Sequence, residues 1–288
     1  MLYTIYDTET SGLEEDADIL SFSYMLCDEN LRVGRAETLY FWKEGETKWT
    51  EEAYKIHGLS KEFLRQHADK FEDNLKKMYI VLSYAYTVGY NSGYLKTRYQ
   101  HFHPETRTFT IDDNPDGGTA VQVVMGFDFP RCKRFLLNHD IEAPNPSAMI
   151  DVMRELQRYN RGIKRKLQKA YDQYGLSREL ADMMNQAYFT EKSEAHNSAY
   201  DVVCTAILFS YMKREGMISD KVGMVDLFED VEQNTDSEYV LYFDDNCSLR
   251  VKVEGEDVDM PMDEFVKEYP VIGAKIAANP HAYLQAEV

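Results

Sequence analysis

The chain has 288 residues, 44% of them hydrophobic, with 50 Asp+Glu against 32 Lys+Arg and a net charge of −18. That length can bury a substantial core, as one large domain or one domain plus an appendage. No apolar run approaches a membrane span, the first residues enter a strand pattern with no signal-peptide pattern, and four scattered cysteines (Cys27, Cys132, Cys204, Cys247) form neither a zinc pattern nor a disulfide framework, which suits a reducing cytoplasm.

Residues 2–7, 18–28 and 37–42 read as three opening strands, rich in β-formers and separated by Gly or charged turns. The first runs into Thr-Ile-Tyr-Asp-Thr-Glu-Thr at 4–10. Side chains alternate along a strand, so Asp7 and Glu9 point the same way and Thr8 and Thr10 the other. Paired carboxylates repel unless a cation sits between them, and an all-oxygen site suits Mg²⁺ or Mn²⁺. Taken alone, the pair also fits a solvated strand edge. Residues 60–66 and 70–82 follow as helices, and 84–90 as a strand running into Tyr90-Asn91.

Farther along, 107–111 and 119–125 flank Asp-Asp-Asn-Pro-Asp-Gly-Gly at 112–118, a turn signal that predicts a β-hairpin. Gly126-Phe127-Asp128 opens a basic helix, 149–159 reads as a helix with Asp151 near its start, and 165–174 as another. Next comes Glu194-Ala195-His196-Asn197-Ser198-Ala199-Tyr200-Asp201. Apolar residues at 202, 203, 206, 207 and 209 then keep helical spacing, with Gly216 as the stop. His196 thus lies just before or in the first turn, with Asp201 about one turn on. Singly, a helix-start histidine and an acid near a helix N-terminus are ordinary features.

Together these motifs resemble the DEDDh-type (DnaQ-like) 3′–5′ exonucleases of the RNase H-like superfamily. The first motif is Asp7-Thr8-Glu9-Thr10-Ser11-Gly12, and the third is His196-x4-Asp201 with Ala199 and Val202. Ile56-His57-Gly58-Leu59-Ser60 resembles a segment that follows the third strand in many members. The second motif departs from pattern. Members carry an acid four residues after the Asn, whereas this chain has Leu95 there and the acid at Asp128. Residues 92–126 therefore read as an insertion splitting the motif. A rival alignment makes 121–125 the core strand and leaves Tyr90-Asn91 outside the site; both alignments choose Asp128, whose plain reading is a helix cap.

The resemblance implies an α/β fold, an RNase H-like mixed sheet flanked by helices, over residues 1–216. The 92–126 β-hairpin insertion interrupts it, and a small acidic α/β extension over 217–288 follows. It also implies a 3′–5′ exonuclease releasing nucleoside 5′-monophosphates with two divalent cations, Mg²⁺ or Mn²⁺. Asp7, Glu9, Asp128 and Asp201 would hold the metals, and His196 would take the proton from the attacking water. Thr8, Thr10, Asn91 and Phe127 would contact substrate. The expected partner is the 3′ end of single-stranded nucleic acid, DNA before RNA, with a polymerase or replication partner and no membrane. An RNA-trimming exoribonuclease is the alternative. A non-catalytic nucleic-acid-binding or polymerase-associated module of the same fold is a third, against which the four acids and the histidine argue.

Charge is unevenly spread. Residues 217–288 hold 17 acids and 5 bases, leaving 33 acids and 27 bases in the first 216. Arg131/Lys133/Arg134 and Arg161/Lys164/Arg165/Lys166/Lys169 are local basic runs suited either to backbone phosphates or to a solvated helix face. Aromatic residues at 90, 94, 99 and 102 suit base stacking or packing of the insertion.

Overall fold

In a computed structural model of the chain, the described residues are 2–28, 31–68, 70–83, 85–189, 197–218, 239–243, 249–253, 258–261, 264, 265 and 268. Strands β1 (Tyr3–Thr10), β2 (Ile19–Cys27) and β3 (Val33–Tyr40) lead into helices α1 (Glu51–His57), α2 (Lys61–His67) and α3 (Phe71–Ser83). Then come β4 (Tyr86–Gly89), β5 (Tyr94–His103), β6 (Thr108–Asp112) and β7 (Thr119–Met125). They are followed by α4 (Asp128–Asn138), β8 (Ala148–Asp151), α5 (Val152–Tyr159), α6 (Leu167–Gln173), α7 (Arg178–Tyr188) and α8 (Ser198–Arg214).

Five strands form one sheet in the order β3-β2-β1-β4-β8. The first three pair antiparallel, while β4 and β8 run parallel to β1. This is the mixed α/β order expected from the sequence. All nine residues of β2 are buried, because helices cover both faces of the sheet. Alternation along β1 divides the core in two. Tyr3 and Ile5 pack with Val202, Val203 and Phe209 of α8. Tyr6 packs on the other face with Leu75 and Met78 of α3 and Phe129 and Phe135 of α4. Burying each such side chain contributes about 1.5–3 kcal/mol.

Three expectations change. The segment expected as a helix over 149–159 begins as a strand, β8, and turns helical at Val152, where Asp151 caps the helix by accepting from Arg154 N at 3.2 Å. A four-residue buried strand is too short for periodicity to distinguish from a helical turn. The insertion does contain a hairpin, but between β5 and β6. β6 and β7 lie on opposite sides of β5, in the order β6-β5-β7, and do not pair across 112–118 as expected. The third strand is Val33–Tyr40, earlier than the expected 37–42.

The segment expected as an insertion closes on itself at its neck. Phe127 N donates to Asn91 O and Phe129 N to Ser92 O, both at 2.9 Å. A Cβ on Gly126 would lie 2.7 Å from Gly93 Cα, and Gly126 has φ +122°, so this contact requires glycine. The rival alignment is therefore excluded: β4, not β7, lies beside β1 in the core sheet. Strands β9 (Tyr239–Phe243), β10 (Leu249–Val253) and β11 (Val258–Pro261) form a third sheet, with the two expected strands paired antiparallel. The helix expected over 262–269 and the turn at 244–246 fall largely or wholly outside the described residues. Among the described residues, no helix is long and apolar enough to cross a membrane.

Candidate active site

The C-terminal end of β1 lines a cleft of about 660 Å³. Asp7 and Glu9 are half-buried on the face of β1 that α8 covers. Asp201 reaches them from the first turn of α8. That turn is held by Asn197, whose side-chain oxygen accepts from Ala199 N and Tyr200 N at 3.1 and 3.3 Å. Ser198 Oγ bonds Ser23 Oγ at 2.7 Å and Ser21 Oγ at 3.0 Å, fastening the helix start to β2. One carboxylate oxygen from each of Asp7, Glu9 and Asp201 lies within 4.8 Å of the others, a spacing one cation can bridge.

Asp128 belongs to the other layer. It is buried at the start of α4, and Thr8, which faces that side of β1, donates its hydroxyl to Asp128 Oδ1 at 2.6 Å. The sheet's alternation thus divides the four acids into a cluster of three and one neighbour held by a threonine. Arg131 sits one turn into α4 and bonds Phe127 O at 2.9 Å as well as Leu13 O, with its guanidinium 3.6 Å from the Phe127 ring centre. It is buried and internal, neither presented to a phosphate backbone nor on a solvated helix face, the two readings its basic run allowed. Arg134 pairs with Glu15 at 3.3 Å.

The electrostatics show anions held together against their preference. Burial first, and then Asp128, Asp201 and Glu9, push the Asp7 carboxyl well above the usual carboxylate range. Burial, Asp201 and Asp128 do the same to Glu9. Asp128 is raised to about 7, mainly by burial and despite the Thr8 hydrogen bond. Asp151 is raised to about 6 by burial, although its Oδ1 also accepts from Asn91 N at 3.1 Å. A divalent cation would offset the mutual repulsion of Asp7, Glu9, Asp128 and Asp201, so the residues present fit a hard metal.

All eight described site residues read from the sequence line the cleft: Asp7, Thr8, Glu9, Thr10, Asn91, Phe127, Asp128 and Asp201. Thr8 is committed through its hydroxyl to Asp128, and Thr10 donates to Gly12 O at 2.7 Å. Asn91, at φ +61°, makes the turn between β4 and the insertion. His196 lies outside the described residues.

Among the further cleft residues outside the site set read from the sequence, three bear on binding. Leu13 and Ile56 are apolar yet 77% and 56% exposed, and both line the cleft, as does Arg165. Nothing in the pattern around Leu13 separates it from an ordinary loop residue, whereas Arg165 lies in the basic run over 161–169 that suits backbone phosphates or a solvated face. Ile56 and His57 fall in the segment already noted. Gly58 at φ +74° ends α1 there, and Thr50 ties the start of that helix to β1's exit by donating to Ser11 O at 2.7 Å.

No protein-family model matches the chain. No curated protein matches it. Among solved structures, the chain is similar to E. coli exonuclease I in complex with a dT13 oligonucleotide, at 14% identity and a TM-score of 0.51, over 88% of this chain and 52% of that one. It is likewise similar to the complex of the same enzyme with a dA16 oligonucleotide, at 14% identity and a TM-score of 0.50, over 87% and 51%. The chain therefore spans about half of the exonuclease I chain. The likeness shows the fold, a five-strand mixed sheet flanked by helices that the exonuclease I chain shares.

Proposed function

We propose that this protein is a metal-dependent 3′–5′ exonuclease that removes nucleoside 5′-monophosphates from single-stranded DNA. The observation that carries this reading is the meeting of Asp7, Glu9 and Asp201 within 4.8 Å, with Asp128 beside them, on the wall of a cleft open to ligand. Among the described residues, six acidic side chains and one arginine, Arg165, line that cleft. A phosphodiester enters such a field only with its charge offset by cations.

Asp7, Glu9 and Asp201 would hold the divalent cations together with Asp128, which would act directly or through water. When bound, Mg²⁺ or Mn²⁺ supplies stabilisation of the attacking and leaving oxygens in an in-line displacement. Thr8 keeps Asp128 in place through its 2.6 Å hydrogen bond. His196, directly before the cap residue Asn197 in the chain, accepts the proton of the attacking water. Leu13 and Ile56 offer apolar walls to the terminal base, Arg165 contacts a phosphate, and Asn91 and Phe127 bound the sugar side. In domain terms, residues 1–216 carry the activity, 92–126 are inserted into it, and 217–288 are an appendage.

The test uses end-labelled DNA and RNA oligonucleotides with Mg²⁺, Mn²⁺ or chelator. Expected is stepwise shortening from the 3′ end with metal only, faster on DNA, and its loss in Asp7→Asn. Full-length substrate under every metal condition would overturn the reading. Equal rates on RNA would overturn the sugar preference alone.

A further inference from the structure

A chain of polar contacts ends on Asp201 and plays no part in the roles assigned above. Gln168 of α6 directs its amide nitrogen at Asp201 Oδ1, 2.8 Å away. The same nitrogen lies 3.8 Å from Cys204 Sγ, three residues along α8. On the other side, Gln168 Oε1 accepts from Arg178 Nη1, and the Gln168 main-chain oxygen accepts from Nη2 at 3.1 Å. Arg178 is itself held by Asp172 Oδ1 at 2.6 Å.

This arrangement leaves the amide one orientation. A guanidinium has only donors, so the side of the glutamine facing Arg178 must be its oxygen. The nitrogen then faces the carboxylate, as an ionised acceptor requires. Turned by half a rotation, the amide would set donor against donor at Arg178 and acceptor against acceptor at Asp201. Asp201 also needs such a restraint. Three anions within 4.8 Å of one another push each side chain outward, and Asp201 reaches the cluster from a different element than Asp7 and Glu9.

We infer that Gln168, oriented by Arg178, is a positioning residue of the cation site, holding the Asp201 carboxylate against Asp7 and Glu9. The inference rests on the reading of Asp201 as a metal ligand. The simpler role, packing α6 against α8, predicts a loss of stability with no specific dependence on Asp201. Partners of this kind behind a metal ligand typically account for about 10–100-fold in metal affinity.

The experiment titrates the full-length, chelator-treated protein with Mn²⁺, following free Mn²⁺ by electron paramagnetic resonance, with thermal melting in parallel. The variants are Gln168→Met, Arg178→Met, Asp201→Asn, Asp7→Asn and the double variant Q168M/D201N. Expected is a loss of about 10–100-fold in affinity for Q168M, a smaller loss in the same direction for R178M, and binding by Q168M/D201N equal to that of D201N alone. Wild-type affinity in Q168M, with binding still lost in D7N, would overturn this inference and leave the metal site standing. So would a double variant weaker than D201N by the same factor that separates Q168M from wild type. Absence of any Mn²⁺ binding that D7N abolishes would remove the metal site and this inference together. If Q168M does not melt cooperatively, Gln168→Asn, whose amide is one methylene too short to reach Asp201, is read by the same outcomes.

Discussion

Asp128→Asn separates stability from function at this site. Asp128 is 4% exposed, and burial raises its carboxyl from an ordinary 3.8 to about 7. At about 1.4 kcal/mol per tenfold change in proton affinity, that rise corresponds to roughly 4 kcal/mol, an upper bound for a site that admits some water. The sign follows from proton counting. Between pH 4 and pH 7 the folded protein holds a proton on Asp128 that the unfolded chain has released, so metal-free stability falls as pH rises through this window. Above pH 7 the full penalty is present; below pH 4 it is gone. Asparagine keeps an oxygen for the Thr8 hydroxyl and carries no charge. The variant should therefore be more stable than wild type by about 2–4 kcal/mol at pH 8 in chelator, and nearly equal to it at pH 4.5. Cleavage of DNA should be lost at both. Urea unfolding at the two pH values measures the first effect and the oligonucleotide assay the second. A variant destabilised equally at both pH values would refute the reasoning, because it would mean that Asp128 is ionised and well solvated in the folded state.

Replacing His196 by alanine should lower kcat by about 10²–10⁴ while Mn²⁺ binding is kept, as single-turnover kinetics beside a metal titration would show. Leu13→Ala and Ile56→Ala should each reduce kcat/KM about fivefold, the equivalent of about 1 kcal/mol of apolar contact. Neither should shift the melting temperature, since both side chains are more than half exposed. Replacing 94–125 by two glycines should leave a folded protein that still binds Mn²⁺, because the neck closes through Asn91, Ser92, Phe127 and Phe129. Its stability should drop by about 2–4 kcal/mol for the lost packing of Leu95 and Val124 against the core, read by circular dichroism melting. Adding Mg²⁺ should raise the wild-type melting temperature more at pH 8 than at pH 5, since burial and neighbouring carboxylates raise the proton affinity of Asp7 and Glu9 and protons compete with the cation more strongly at the lower pH.

Strand alternation alone put Asp7 and Glu9 on one side of β1, and helical spacing after Asn197 put Asp201 in the first turn of α8. Both rest on local periodicity, which any reader of the chain can count. The insertion over 92–126 rests instead on the family resemblance, as an expectation from a motif whose acid arrives late. The division of the four acids between two layers was not legible, nor was the commitment of Thr8 to Asp128 across 120 positions. Arg131 read as either a phosphate contact or part of a solvated helix face, and only packing made it an internal strut to Leu13. Gln168 meets Asp201 across 33 positions with no spacing rule to announce it. Periodicity tells which face a side chain takes within its own element. The distance between side chains on different elements depends on how helices and sheet pack, and that is decided by the whole core at once.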